Sequence, residues 1–589
     1  MPFEPEGFTD ARIAHEYRTL CVLGELANGA STEQPVYTEI NHQSALTKII
    51  DLLDDNDSLA FFTLVSDPPS GALAYDSDLV SLIIISFNIV TTLSDAARFP
   101  HDRRLDLSLR SLWPHVVKWS ALLHPARGRL IRAPGPRDVR RSVTAIVQLY
   151  LRIFQSPDVM YFKSFLHGNP DAVSQAFELW LRFPHYCSKS GQESTTTVHG
   201  AITLFVVLSN VLLGNDATVD DCALFADELL LTLGDLRTLY RAISRQTSLL
   251  AKLTTKSAII RGLWSNHFTL LTRCLCLCLQ RCPERPPIPK KVIVSTVSAA
   301  MLCVKIQAPA DAASRALGLL TALCRTVSSN HPLARAIDAG VFDLLHDLGR
   351  PADMYDITDF AQQLSAGLFH PRVSRVLLRR HPNVPYVAPS PARVEPGHIP
   401  DWQDVALLWS MFLKPYIEAY DSRSAEMKTG WRYAMTCTNH HGPHNELVRV
   451  CPCAGAFYCS GSCRKMHRSK HREVCDADQG PWGLNGAITL DDAIFTCTIA
   501  RGYISCQRGT IGAQIASLGC PLQEVHIIVL IDLYDVLPIP RHTLETCPKI
   551  ATSYFVPSVV VVDVLLRIGA ARARHHVPFV YNLKYFYRT

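Results

Sequence analysis

The chain has 589 residues, of which 48% are hydrophobic, so it is long enough for several domains and can fill a sizeable core. This composition excludes a chain that is disordered throughout. Lysine and arginine number 58 against 53 acids, and a formal net charge of +5 is too small at this length to indicate a nucleic-acid or membrane-surface partner by itself.

The N-terminal segment, residues 1–39, has no apolar run at its start and carries acids at Glu4, Glu6 and Asp10. A cleaved secretory signal is therefore not expected. The longest uncharged apolar stretch, Leu79 to Ser94, is shorter than the ~20 residues that cross a bilayer. We expect a buried helix there, no membrane partner, and an intracellular protein of the cytoplasm or the nucleus.

Residues 40–381 carry apolar side chains at helical spacing, for example at i, i+3, i+4 and i+7 within 46–53 and over four turns within 139–154. Gly340 separates two such patterns and resembles the corner of an armadillo repeat, or marks an ordinary helix-turn-helix. No period of 30 to 50 residues persists. The prediction is a mainly α fold, an irregular and possibly armadillo- or HEAT-like helical array of the kind that serves as a binding platform.

Proline marks the end of this array. Residues 382–400 contain six prolines and are predicted to be an extended linker, because proline interrupts helices and lacks a backbone donor. A helical lead-in at 401–436 follows. Beyond residue 480 the pattern changes to short β-branched and aromatic runs, which favour strands, so 480–589 is predicted to be an α+β region. The predicted strands cover 527–533, 559–566 and 577–587.

Six of the 19 cysteines lie within the 39 residues from Cys437 to Cys475, which favours a metal site over disulfides. Potential ligands come in four pairs. Zinc takes four sulfur or nitrogen ligands, so eight ligands imply two zinc ions. The second ligand is predicted to be His440, which keeps a two-residue spacer, with His441 and His444 as alternatives, and His467 is assigned to the helix surface. The four pairs are Cys437 with His440, Cys451 with Cys453, Cys459 with Cys463, and His471 with Cys475.

The later half of this cluster resembles the MYND zinc finger, which reads Y-C-S-x2-C, a short basic helix, and H-x3-C. The resemblance rests on Tyr458, Cys459, Ser460 and Cys463, then on His471 and Cys475, and covers about 39 residues. It implies cross-braced zinc sites and recognition of short proline-containing peptides of partner proteins. The implied ligand sets are Cys437, His440, Cys459 and Cys463 for one ion, and Cys451, Cys453, His471 and Cys475 for the other.

Zinc with four protein ligands has no open position for water or substrate, so the finger is expected to be scaffolding and the protein not an enzyme. The basic residues from Arg464 to Arg472 are offset by zinc-bound thiolates, which leaves a finger charge of only about +2 and does not favour nucleic-acid contact. The expected function is a zinc-binding protein–protein interaction adaptor. The alternative is a transcription-associated protein that contacts DNA or chromatin, and a SET-type methyltransferase is less favoured because only 114 residues follow Cys475.

Overall fold

The computed structural model describes most of the chain from residue 78 onward, together with a few short pieces. The longer described ranges are 78–98, 103–128, 136–154, 159–187, 192–282, 284–309, 311–327, 329–348, 357–384, 402–422, 457–472, 490–518, 525–534, 540–548, 559–569 and 571–587, and the short pieces are 22, 47, 73–74, 130–131, 437, 439, 441, 444 and 449–450. The chain divides into two compact units, Met1–Cys282 and Pro283–Thr589.

The first unit is helical, apart from a short parallel pair of strands, β1 (Leu73–Ala74) and β2 (Leu130–Ile131), and a 3₁₀ turn at Pro125–Arg127. Its helices are α1 Asp78–Arg98, α2 Arg103–Leu123, α3 Pro136–Phe154, α4 Val159–Gly168, α5 Pro170–Tyr186, α6 Gln192–Leu213, α7 Val219–Leu233, α8 Leu236–Thr254, α9 Ala258–Gly262 and α10 Trp264–Arg281. The buried helix predicted at Leu79 to Ser94 is confirmed as part of α1, in which Ile83 and Phe87 are completely buried.

Helix α6 lies in the core of this unit and packs against α3, α5 and α7. Phe205 on α6 stacks on Trp180 of α5 at 4.1 Å between ring centroids, and Phe177 meets Phe225 of α7 edge-on at 4.9 Å. All four rings are fully buried. The expectation that Leu79 to Ser94 is the longest uncharged apolar stretch is wrong, since Ser194–Leu213 has 20 residues and is apolar enough to span a membrane by length and composition alone. In the protein, 56% of its most apolar window is buried, as in a core helix.

The second unit contains helices, a short hairpin and a mixed sheet. Its helices are α11 Lys290–Lys305, α12 Ala312–Thr326, α13 His331–Asp338, α14 Val341–Leu348, α15 Thr358–Gly367, α16 Pro371–Arg380, α17 Trp402–Leu407, α18 Lys414–Ser422, α19 Gly461–Arg472, α20 Leu490–Cys506, α21 Arg508–Ser517 and α22 Lys584–Tyr587. A π-helical turn, Leu408–Leu413, connects α17 and α18. Gly340, between α13 and α14, has a φ of +102°, a conformation that only glycine adopts easily.

The four-stranded sheet has the order β6-β5-β7-β8, where β5 is Val525–Leu533, β6 Arg541–Pro548, β7 Val559–Ile568 and β8 Ala571–Asn582. The central strands β5 and β7 are parallel and the two edge strands are antiparallel to them. Alternate β7 residues Val560, Val562 and Val564 are fully buried, and α20 packs against β7 and β8.

The hairpin between β7 and β8 is fastened to the helices of the second unit. Asn330 accepts a hydrogen bond from the Gly569 backbone amide (2.9 Å) and donates one to the Arg567 carbonyl (3.3 Å), and His370 Nε2 donates to that same carbonyl (3.0 Å). Gly569 has a φ of +57°, and a Cβ there would collide with the backbone of Val327. The sheet and these helices therefore share one packed interior.

The mainly α fold with a C-terminal α+β region is confirmed. Two predicted strands lie inside β5 and β7. The third prediction, 577–587, is wrong for its last residues, because β8 ends at Asn582 and α22 follows. The Asn582 side chain accepts a hydrogen bond from the Lys584 amide (2.9 Å), which starts the helical turn.

The remaining predicted boundaries are only partly described. Most of the predicted linker, from residue 385 onward, lies outside the described residues, as do the second half of the lead-in and nearly all of residues 1–39. The two units divide between Cys282 and Pro283, at the start of the group Pro283, Pro286, Pro287 and Pro289 and within the predicted helical array.

Candidate metal centre

The site is built on a short strand pair that leads directly into a helix. Strand β3 (Arg449–Val450) pairs antiparallel with β4 (Phe457–Tyr458), and Cys459 follows β4. Ser460 then caps α19, since its hydroxyl accepts a hydrogen bond from the Cys463 backbone amide (3.1 Å). The cap fixes the first helical turn and brings Cys463 beside Cys459, with 3.4 Å between the two sulfur atoms.

Four side chains bring possible ligand atoms together. They are Cys437, His444, Cys459 and Cys463, and their ligand atoms all lie within 4.8 Å of one another. His444 Nδ1 lies 3.5 Å from the Cys459 sulfur and 3.8 Å from the Cys463 sulfur. A tetrahedral zinc ion would separate two thiolate sulfurs by about 3.8 Å, and sulfur from nitrogen by about 3.5 Å. The three distances among Cys459, Cys463 and His444 fit zinc to within a few tenths of an ångström.

The pKa of the Cys463 thiol also suits a metal ligand. Hydrogen bonds from the side chains of Ser460 and Asn439 lower the pKa of the Cys463 thiol from 9.0 to about 6, so the thiolate is accessible at neutral pH. Burial raises the pKa of Cys437, although backbone amides that hydrogen-bond to its sulfur oppose this shift. Cys459 and Cys463 are buried, whereas His444 is exposed. Three thiolates and one imidazole form a donor set that zinc prefers.

The structure therefore brings together three of the four side chains predicted for the first ion and adds His444, one of the two alternatives that the sequence left open. His441 is exposed and is not in the group; its carbonyl accepts a hydrogen bond from the Asn439 side chain (3.2 Å). His440 lies outside the described residues. Among the residues that the structure describes, this is the only Cys/His/Asp/Glu group that could hold a metal ion.

The residues predicted for a second ion are mostly outside the described part of the chain. Cys451, Cys453 and Cys475 are not described, and only His471 is. His471 lies buried on α19, with its ring 5.9 Å from that of Tyr458. Burial lowers the pKa of His471, with nearby His467 and Arg464 adding to the effect, which favours the neutral imidazole that metals bind.

His467 is half-buried rather than a free surface residue. Its Nδ1 forms a hydrogen bond with the Tyr458 hydroxyl (3.0 Å), and its ring stacks near that of His471 at 6.1 Å. Tyr458 itself is buried. Tyr458, which directly precedes Cys459, thus contacts the side of α19 that carries His467 and His471.

Sequence reasoning named Ser460 only as part of the motif and missed its role, and it missed Asn439 altogether. Ser460 positions Cys463 as a helix cap, and a serine directly before a predicted helix is the signal that could have found it. Asn439 is buried and acts on the Cys463 thiol, although it is 24 positions away in the chain. No local pattern links residues so far apart, so only the fold reveals this contact.

Four ligands from the protein close the coordination of a zinc ion, so the arrangement can hold structure together but offers no open position for catalysis. A scan against protein-family models found no match, and searches of curated proteins and of solved structures found none either.

Proposed function

We propose that this chain is a zinc-binding adaptor, in which a MYND-like finger at 437–475 recognises proline-containing peptides of a partner protein and is joined to a helical platform. The observation that carries the proposal is the group of Cys437, His444, Cys459 and Cys463 at zinc-compatible distances. Cys459 and Cys463 of this group lie where strand β4 leads into helix α19. The sequence there has the Tyr-Cys-Ser-x2-Cys spacing of MYND fingers.

Zinc in this site would stabilise the folded finger rather than take part in a reaction. Structural zinc contributes an apparent ~10 to 16 kcal/mol of binding free energy in finger peptides. Among the described residues of the finger, Tyr458 is the one large apolar side chain that is buried. The finger therefore has little hydrophobic core of its own. The metal would therefore decide whether the finger folds, and the folded finger would present its outer surface to a partner. No enzymatic activity is proposed.

A second zinc ion belongs to the proposal. Its ligands would be Cys451, Cys453, His471 and Cys475. One observation supports it: His471 is buried on α19, the helix that also carries Cys463. The cross-braced order that the resemblance implies, in which the second and fourth ligand pairs share one ion, assigns His471 to this second ion.

The metal content is tested by comparing native and denaturing mass spectra of the full chain. We expect two zinc ions in the native spectrum and none after denaturation. Cys463→Ser should remove at least one ion, because it deletes a ligand, whereas Cys506→Ser changes an exposed thiol outside the finger and should leave the count unchanged. A native chain without zinc, when purified in its presence, would contradict the proposal.

The recognition step is tested with a library of fluorescent proline-containing peptides. Binding should be lost after zinc chelation, be restored by zinc, and be absent in Cys463→Ser but present in Cys506→Ser. The competing class of partner is a nucleic acid, since Arg464, Lys465 and Arg468 are exposed on α19. A peptide groove should show a shallow salt dependence, whereas phosphate contacts at the finger produce a steep one and would assign the site to DNA or chromatin.

A further inference from the structure

A long stretch of the first unit contains basic residues and no acids. Residues 236–283 include eight lysines and arginines and no aspartate or glutamate, although the net charge of the whole chain is only +5. The positive charge is therefore concentrated in this stretch, and acids elsewhere in the chain balance it. The eight residues are Arg237, Arg241, Arg245, Lys252, Lys256, Arg261, Arg273 and Arg281.

Four of these cations share one face of helix α8. At 100° per residue, Arg237, Arg241, Arg245 and Lys252 fall within an arc of about 80°. They extend over about 22 Å along the helix axis, at a rise of ~1.5 Å per residue. All four are exposed.

The neighbouring helix α5 adds to the same surface. Arg245 donates a hydrogen bond to His185 Nε2 on α5 (2.8 Å), so its guanidinium is held by a neutral imidazole rather than by a carboxylate. Arg182, one turn before His185, is exposed and close enough to act on the same imidazole. We call Arg182, Arg237, Arg241, Arg245 and Lys252 the basic face.

Carboxylates only partly offset the charge of the basic face, because Asp235 interacts electrostatically with Arg241 and Arg237. Among the described residues, no ion pair is found for its five members. The acid at its end, Asp235, caps α8 and accepts two 2.7 Å hydrogen bonds from Thr238. A surface with about four uncompensated charges raises the local concentration of a polyanion.

The residues between the cations distinguish the possible partners. Ser248 lies inside the arc and Thr238 at its border, and both carry small hydroxyl groups. A protein interface needs a buried apolar or aromatic anchor, and a membrane-binding helix needs apolar side chains beside its cations. Neither is present on this arc. The hydroxyls already donate within the protein, that of Ser248 to the Ser244 carbonyl and that of Thr238 to Asp235. The line of cations is therefore the feature that suits the phosphates of a nucleic-acid backbone.

We propose that the basic face of the first unit binds the phosphate backbone of a nucleic acid without reading its sequence. A duplex presents one phosphate charge per about 1.7 Å of axis, so a 22 Å line of cations meets many phosphates at once. The absence of an aromatic side chain on the arc favours contact with the backbone over stacking on single-stranded bases. This site is independent of the zinc finger.

The test uses the full-length protein and fluorescein-labelled 20-base-pair duplexes of random sequence, one of DNA and one of RNA. Anisotropy is measured between 50 and 200 mM salt. If five cations each neutralise one phosphate, the slope of log affinity against log salt is about −4.5, and affinity falls by roughly 500-fold over this range. Duplexes of different sequence should bind alike.

The variant Arg241→Gln with Arg245→Gln should make the slope shallower by about 2, because it removes two phosphate contacts and allows an amide to hydrogen-bond to His185. The matched control, Lys290→Gln with Lys291→Gln, changes two exposed cations of the second unit by the same charge and should leave the slope unchanged. Circular dichroism of each variant shows whether the helices are intact. If the double variant does not fold, the single variant Arg237→Gln tests the same surface and should change the slope by about 1.

Three outcomes would overturn the proposal. One is the absence of salt-dependent duplex binding, and another is an unchanged slope in folded basic-face variants. The third is displacement of the duplex by polyglutamate at equal charge concentration, which would assign the surface to an acidic protein. Duplex binding that persists in Cys463→Ser separates this site from the finger, whereas its loss there would place the phosphate contacts on α19.

Discussion

At the scale of single residues, the ligands of the candidate metal centre differ in how firmly they are held. Cys459 and Cys463 are buried at the start of a capped helix, whereas His444 is exposed. The thiols are thus preorganised for an ion and the imidazole completes the set. The identity of that fourth ligand is the most direct question that a single substitution can answer.

We predict that His444→Ala lowers zinc affinity by at least about 10-fold, because it leaves the first ion with three protein ligands. His440→Ala is the matched comparison, since it removes a neighbouring histidine and should have a smaller effect. Competition with a chromophoric zinc chelator measures both affinities. The reverse ranking of the two variants would return the ligand role to His440 and its two-residue spacer.

Two buried histidines of the first unit are expected to control its stability at acidic pH. Burial lowers the pKa of His124 and of His267 from 6.5 to about 3, and Arg127 adds to the effect at His124. Both side chains are inaccessible to solvent in the folded state and become accessible on unfolding. As the pH falls below about 7, the unfolded chain takes up these protons before the folded chain does. Stability is therefore full above pH 7 and is lost progressively toward pH 3.

Between pH 7 and pH 5 each of these histidines should cost about 2 kcal/mol of unfolding free energy. His267→Gln keeps a side chain that can hydrogen-bond to Thr247, the partner of His267 Nε2 at 3.2 Å, and removes one titrating group. Its loss of stability between the two pH values should be smaller than that of the parent chain by about 2 kcal/mol. Urea unfolding followed by helical circular dichroism measures the difference, and an equal loss in both proteins would contradict this origin.

At the scale of elements, the β7–β8 hairpin depends on one glycine and one asparagine. Gly569 adopts a left-handed conformation and lies against the backbone of Val327. The Asn330 side chain hydrogen-bonds to the Gly569 amide and to the Arg567 carbonyl. A hairpin tip is usually an exposed loop. Here it is a docking element, because the helices supply the hydrogen-bond partners that its backbone needs when buried.

Gly569→Ala should destabilise the second unit by at least about 2 kcal/mol, since a methyl group meets the Val327 carbonyl and the backbone is strained at positive φ. Gly509→Ala is the control: nothing lies within 4 Å of its Cβ position in α21, and alanine favours helices. Thermal unfolding of the two variants gives the comparison. Equal melting temperatures would mean that the hairpin does not dock.

At the scale of the whole molecule, the chain is organised as two units that meet in sequence at Cys282 and Pro283. The first unit has a core of its own, in which Phe177, Trp180, Phe205 and Phe225 form a fully buried aromatic cluster. The second unit combines helices, the candidate metal centre and the sheet. The proposed peptide-binding and phosphate-binding functions therefore fall on different units.

A fragment of residues 1–282 should fold alone, with cooperative thermal unfolding and the helical circular dichroism of its part of the chain. A fragment of residues 1–213 is the control and should not unfold cooperatively, because it lacks α7 and the Phe225 ring that packs on Phe177. An unfolded 1–282 fragment would show that the first unit needs the second.

Local patterns were sufficient to predict the helices, two of the strands and the Tyr-Cys-Ser-x2-Cys spacing. These features depend on residues within about one or two helical turns of each other, and apolar periodicity or a short ligand spacer records such neighbours directly. The end of the third predicted strand was wrong because an asparagine cap, a weaker local signal, competes with the aromatic run around Tyr585.

The sequence by itself determined that this chain is mainly helical and carries a cysteine and histidine cluster near residue 450 that could bind a metal, because both properties follow from the identity and spacing of close neighbours. Only the tertiary structure decided which histidine joins the three thiols, which proline group separates the units, and that Asn330 holds a turn 239 positions away. It also decided that Arg182 of α5 and Arg245 of α8 lie close to the same imidazole, that of His185. The physical reason is that these contacts join segments far apart in the chain, whose meeting depends on packing and leaves no periodic trace in the residue order.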